Sequence, residues 1–205
     1  MRRLLAAGIL LAALVPRVHG AGASPAVDVV EGLHRVLAQN MAVDGERDPA
    51  LRAGRLAPVV AAAFDFEAIS RAALGSAHDT LDADARARFR ELMQRLSTLT
   101  YAERFAPSES GPRFVTVEER PARRARTLVR TRLERDDGAP VQLDYVLHHT
   151  AVGPRIVNVL ADGVSDLSLK RAEYSAVIRK EGVDALFRRI ADQVGSLARS
   201  VAAGS

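Results

Sequence analysis

The sequence predicts an α+β fold, an antiparallel sheet of about four strands packed on one face by helices from both ends of the chain. Three observations predict it. Apolar residues recur at helical spacing as far as Pro107, alternate strand-wise after Gly111-Pro112, and return to the helical period from about Ser165. Of the 205 residues, roughly 180 follow an amino-terminal leader, enough for one compact core. Residues 24–205 are therefore read as a single domain, with a helical half (24–106), a sheet (112–165) and C-terminal helices (166–200).

Taken in order, Ser24-Pro25 opens a helix with Val27, Val30, Leu33, Val36, Leu37 and Met41 on one face. Asp48-Pro49 starts a second, with Leu51, Leu56, Val59 and Val60 apolar and Pro58 expected to kink or restart it. Phe64-Asp65-Phe66 leads into a short helix closed by Gly75. Asp82 caps a longer helix on which Phe89, Leu92, Met93, Leu96 and Leu99 share a face. Phe114 to Arg120 forms the first strand. In the second, Thr127, Val129, Thr131 and Leu133 face one way, while Arg126, Arg130 and Arg132 share the other face with Leu128. Asp136-Asp137-Gly138 signals a hairpin turn into a third strand, Val141 to His149. There alternation places Tyr145 inside with Val141, Leu143 and Leu147, and Asp144 outside with Gln142. Thr150 to Pro154 turns into the last strand, from Arg155, and a helix runs from Leu169 to Leu186.

Arg2 and Arg3, the short apolar run Leu4 to Val15, and small residues at Val18-His19-Gly20 or Ala21-Gly22-Ala23 read as a secretory signal, residues 1–23, removed on export. The apolar run falls short of the about 20 residues that span a bilayer. The chain has no cysteine, so it carries no lipobox and no disulfide, and stability comes from an ordinary core. Three of the 29 basic residues (Arg2, Arg3, Arg17) fall in the leader, which leaves 26 against 25 acidic, a net charge of +1. That balance argues against nucleic acid as a partner.

Several chemistries find no support. Gly163-Val164-Ser165-Asp166-Leu167 sits where a hydrolase nucleophile would, but Leu167 stands in place of the second glycine. A helix cap by Ser165 or Asp166 is the better account. His148 and His149 are strand neighbours that point to opposite faces, a poor start for a metal site. Neither Lys170 nor Lys180 follows a glycine, so there is no Walker A loop, and no G-x-G-x-x-G or H-E-x-x-H motif occurs. No cofactor is expected and the chain is not read as an enzyme. The densest charge feature is Arg120, Arg123, Arg124, Arg126, Arg130, Arg132 and Arg135, interspersed with Glu118, Glu119, Glu134, Asp136 and Asp137. It reads either as a solvated outer sheet face or as a docking surface, centred on Arg126, Arg130 and Arg132, for acidic partners.

The order of elements from Val141 to Leu186, with Asp162-Gly163-Val164-Ser165 running from strand into helix, resembles the MlaC or toluene-tolerance (Ttg) family. The resemblance extends upstream to Phe64-Asp65-Phe66-Glu67-Ala68-Ile69-Ser70-Arg71-Ala72-Ala73-Leu74-Gly75. One departure is Pro154, where the family usually has a Trp. The resemblance implies a periplasmic, non-catalytic shuttle that carries phospholipid between the inner and outer membranes and maintains outer-membrane lipid asymmetry. It implies as partners an inner-membrane ABC transporter complex with an MCE-domain subunit and an outer-membrane lipoprotein associated with porin. A sheet curved around helices also resembles the nuclear-transport-factor-2-like architecture, with a helical annex.

A carrier must shield its cargo, because a sixteen-carbon chain at about 0.8 kcal/mol per methylene needs roughly 12 kcal/mol of burial. The apolar faces available to line such a cavity are Leu92, Met93, Leu96 and Leu99 from the long helix and Val129, Leu133, Tyr145 and Leu147 from the sheet. Val157, Val159, Tyr174, Val177 and Ile178 extend the set. Periodicity alone does not separate a hollow interior from a filled one. Three competing readings remain: a carrier of another apolar lipid such as a hopanoid; an isomerase or hydrolase using Tyr145, which needs a buried acid or base beside the phenol; and an adaptor with a solid core.

Overall fold

The computed structural model describes residues 23–42, 44–109, 111–135 and 138–203. The expected leader through residue 22 and Asp136-Asp137 of the expected hairpin turn lie outside them. The N-terminal half is helical: α1 (Pro25–Met41), α2 (Pro49–Ala63), α3 (Phe66–Leu74), a single turn α4 (Ala77–Thr80) and α5 (Ala83–Arg104). A short side-chain acceptor precedes four of the five. Ser24 accepts from the Val27 amide at 3.2 Å, Asp48 from Ala50 at 2.7 Å, Asp65 from Ala68 at 2.8 Å and Asp82 from Ala85 at 2.7 Å. Each satisfies a backbone donor that the first turn leaves open.

The sheet follows as β1 (Arg113–Ala122), β2 (Arg126–Glu134), β3 (Val141–Thr150), β4 (Gly153–Ala161) and β5 (Val164–Ser165), in spatial order β1-β2-β3-β4-β5 with every neighbour antiparallel. The chain then closes with α6 (Asp166–Glu181) and α7 (Val183–Ala203). On the inner face Tyr145 of β3 lies between Val129 of β2 and Val159 of β4. Helices from both ends cover this face. Val30, Leu33 and Leu37 of α1, Leu56 and Val60 of α2, Phe89 of α5, Leu147 and Ile156 of the sheet, and Leu186 and Ile190 of α7 belong to one apolar cluster. The Phe64-Asp65 link also joins the sheet directly: Phe64 bridges Ile156 in parallel, and the Asp65 amide donates to the Ile156 carbonyl at 2.9 Å.

The α+β class and the single covered face are as expected, and the structure departs from the sequence reading in five details. The sheet has a fifth, two-residue strand. Pro58 neither breaks nor restarts α2. Pro58 and Gly54, whose carbonyl loses its intrahelical donor, are both exposed, so water can take up that carbonyl. Leu51 stands outside the core, 54% exposed. The helix expected through Leu186 divides at Gly182, whose φ of +84° is ill suited to a side chain. Asp144 occupies the outer face, yet it is only 5% exposed. Its cross-strand neighbour Arg130 folds over it, with Nε donating to Oδ1 at 2.9 Å and Nη2 to Oδ2 at 3.0 Å. Alternation assigns a face, and an arginine directly opposite decides whether that face is wet.

Candidate functional site

The α5 sequence carries a second stripe, rotated from its core face: Met93, Leu96, Ser97, Thr100, Tyr101 and Arg104 recur at three- and four-residue spacing. These six side chains form one wall of a cavity of about 360 Å³. Leu143, Tyr145, Val157 and Val159 of the sheet form its floor, and Leu167 and Lys170 of α6 stand at one side, with Phe64 and Ile69 also lining it. The edge at α6 is fixed locally. Ser165 caps the helix by accepting from the Ser168 amide at 3.1 Å, and Asn158 of β4 both accepts from the Leu167 amide at 3.2 Å and donates to Ser165 Oγ at 3.0 Å. Thus Gly163-Val164-Ser165 serves the turn and the cap, as expected, and Asn158 pins α6 to the sheet.

The floor and the helix wall are mainly apolar, and the charged lining residues are Arg104, Asp166 and Lys170. Burial pushes the Tyr145 phenol well above its ordinary value, and burial together with the charge of Asp166 raises that of Tyr101. His34 of α1, outside the cavity lining, lies 2.9 Å from the Tyr145 hydroxyl through Nε2 and stacks on Phe114 with ring centroids 3.9 Å apart. Burial lowers the His34 pKa to about 3. The phenol therefore does have a basic neighbour, one the sequence reading did not find, since α1 lies 111 residues away along the chain. A group so hard to protonate is a poor general base near neutral pH, and it serves here as a neutral hydrogen-bonding partner.

Of the residues expected to line a cavity, Met93, Leu96, Tyr145, Val157 and Val159 do so. Leu99, Val129, Leu133, Leu147, Tyr174 and Val177 lie instead in the packed core, and Leu92 and Ile178 pack against it half-buried. Phe64, Ile69, Tyr101, Leu143 and Leu167 line the space without having been singled out. The signal for Tyr101 was present in the period of α5, masked by the polar Ser97 and Thr100. On the outer face Arg130 is committed to Asp144 and approaches Glu118 at 3.6 Å, and Arg132 lies 3.6 Å from Glu134. Arg126, half-buried, makes no ion pair with the described residues. The two histidines diverge: His148 Nε2 is 2.8 Å from Asp65 Oδ2, and His149 Nε2 is 3.4 Å from Thr127 Oγ1.

The molecule is an α+β protein with a single-faced helical cover over an antiparallel sheet and, between them, a mainly apolar cavity whose charged lining residues are Arg104, Asp166 and Lys170, a shape suited to a ligand with apolar parts. Residues 28–192 match the family model described as MlaC protein, and the chain belongs to the MlaC family. Among solved structures, it is similar in fold to a phospholipid-binding protein from Ralstonia solanacearum determined in complex with a phospholipid. The TM-score is 0.65 at 18% identity, over 85% of this chain and 94% of that one. No curated protein matches the chain.

Proposed function

We propose that this protein is a phospholipid carrier: it holds acyl tails in the cavity beneath α5 and shuttles lipid through the periplasm without chemical change. The observation that carries this reading is the cavity itself, mainly apolar, with Arg104, Asp166 and Lys170 as its charged lining residues. Membership of the MlaC family and the phospholipid bound to the Ralstonia solanacearum neighbour support it. They favour binding and transport over catalysis. The finer reading is an Mla-type system that maintains outer-membrane asymmetry. In it, lipid is exchanged with an inner-membrane ABC transporter complex through its MCE-domain subunit and with an outer-membrane lipoprotein associated with porin.

The cavity lies near the low end of the about 300–1,000 Å³ typical of ligand pockets. A two-tailed lipid therefore requires α5 and α6 to separate from the sheet. Tails that gain roughly 12 kcal/mol per sixteen-carbon chain from burial leave slowly unless a partner opens the site. Docking should thus limit transfer, and rapid loss of lipid from the isolated protein would count against this. The direct test is native mass spectrometry of protein purified from a Gram-negative periplasm, followed by organic extraction. Stoichiometric phospholipid is expected. A terpenoid such as a hopanoid in its place would keep the carrier and change the cargo, and a clean apo mass unaltered by lipid vesicles would refute the carrier reading.

A further inference from the structure

The open side of the cavity carries charge that an apolar ligand does not need. Arg104, the last residue of α5, is exposed and makes no ion pair with any described residue. Lys170 lies in the first turns of α6, with its Nζ 2.6 Å from Asp166 Oδ1. Its side chain is only 24% exposed, whereas that of Asp166 is 62% exposed. All three line the same cavity, so its rim bears two cations and one carboxylate beside a mainly apolar lining. Val164 and Leu169, 54% and 59% exposed, stand on the same rim. Apolar surface beside one excess positive charge is complementary to the point in a lipid where tails meet a singly charged phosphodiester.

Resting on the carrier reading, we propose that Arg104 and Lys170 together hold the phosphate of the bound lipid, and that Asp166 is the partner Lys170 keeps while the site is empty. The guanidinium offers a planar fork that matches two phosphate oxygens, and the ammonium supplies a point charge. Backbone donors contribute little here. The Leu167 and Ser168 amides of α6 are already taken by Asn158 and Ser165. Phosphate capture is then a side-chain exchange in which Lys170 leaves Asp166 for the ligand. The contact is common to all glycerophospholipids, whatever lies beyond the phosphate, and is absent from a diacylglycerol with the same tails.

Delipidated protein is incubated with phosphatidylcholine vesicles containing equal amounts of phosphatidylglycerol and diacylglycerol of identical acyl chains, and the bound lipid is extracted and counted. The wild-type protein should favour phosphatidylglycerol by about tenfold, the scale of charge-assisted hydrogen bonds at a partly exposed site. The R104Q/K170Q variant should lose that preference and still load diacylglycerol. Asp166→Asn, which removes only the competing carboxylate, should raise the preference. Equal loading of both lipids by the wild-type protein, or an unaltered preference in R104Q/K170Q, overturns the proposal and leaves the carrier reading intact. If the wild-type protein loads none of the three lipids, the carrier reading itself fails. Glycerol phosphate is the remaining arm: tight binding of this tail-less compound, lost in R104Q/K170Q, would reassign the pair to a soluble phosphate and overturn the headgroup assignment.

Discussion

Val129 and Val159 are the same residue type, on the same face of the sheet, each directly opposite Tyr145. Their surroundings are opposite. Val129 is fully buried in the packed cluster, where α1 packs across the sheet from β1 to β4 and its His34 stacks on Phe114. Val159 is half-buried and borders the cavity, on the side where Met93, Leu96 and Tyr101 of α5 stand off from the strand. One sheet face thus carries a filled region around Val129, Leu147 and Ile156 and a hollow one around Leu143 and Val159, with Tyr145 where they meet. Strand pattern sets which way a side chain points, and the helix above sets whether it meets atoms or space.

Truncation should separate the two regions most clearly. Leu147 is fully buried in the filled region, and Leu147→Ala should cost about 2–5 kcal/mol, the transfer loss plus a new cavity. Leu96 is also buried but borders the cavity, so Leu96→Ala should cost about 2 kcal/mol, the low end of the same range. Urea unfolding of the two variants measures both costs. Equal values would mean that the hollow region closes when empty.

A second difference shows in acid. His34 titrates near 6.5 when unfolded and about 3 when folded, so the unfolded chain binds a proton that the folded chain refuses. Its contribution is fully present above pH 6.5 and is lost as pH falls toward 3. Between pH 6 and pH 4 this one group should remove about 2–3 kcal/mol of stability. The facing Tyr145 phenol, raised by burial, does not titrate in that range. His34→Gln keeps a hydrogen-bonding group and should flatten the slope by that amount, measured by urea unfolding at several pH values. An unaltered slope would place the acid sensitivity elsewhere. Because His34 packs the filled region, lipid loading at pH 7 should not change.

Much of this division was legible in the sequence, and the illegible part has a physical cause. The helix caps at Ser24, Asp48, Asp65 and Asp82 are local chemistry, and the inward turn of Tyr145 is simple alternation. Both are written in a few adjacent residues. The His34–Tyr145 contact and the cover of Arg130 over Asp144 join residues 111 and 14 positions apart and leave no local trace. The second carries a practical consequence, since changing Arg130 and Arg132 together to Glu would set a new carboxylate against buried Asp144. Such a variant reports on the fold as much as on docking. The stripe on α5 was half legible, because Ser97 and Thr100 are polar and interrupt its apolar pattern, although in the structure they line the cavity.

The smallest expected effect on stability is the one that bears most on function. Val159→Phe adds a ring where there is space to receive it, so stability should change by less than about 1 kcal/mol, whereas Val129→Phe forces a ring into a filled core and should cost about 1–3 kcal/mol. Lipid content should reverse that order. A phenyl group at position 159 occupies volume that an acyl chain would need, and loading should fall by about tenfold, equivalent to losing burial of about two methylenes. Val129→Phe, if it folds, should load normally. Unfolding curves and extracted lipid from the two variants together decide whether Tyr145 marks the boundary. If Val159→Phe is destabilised as much as Val129→Phe and still carries lipid, the space beneath α5 is not where the tails lie.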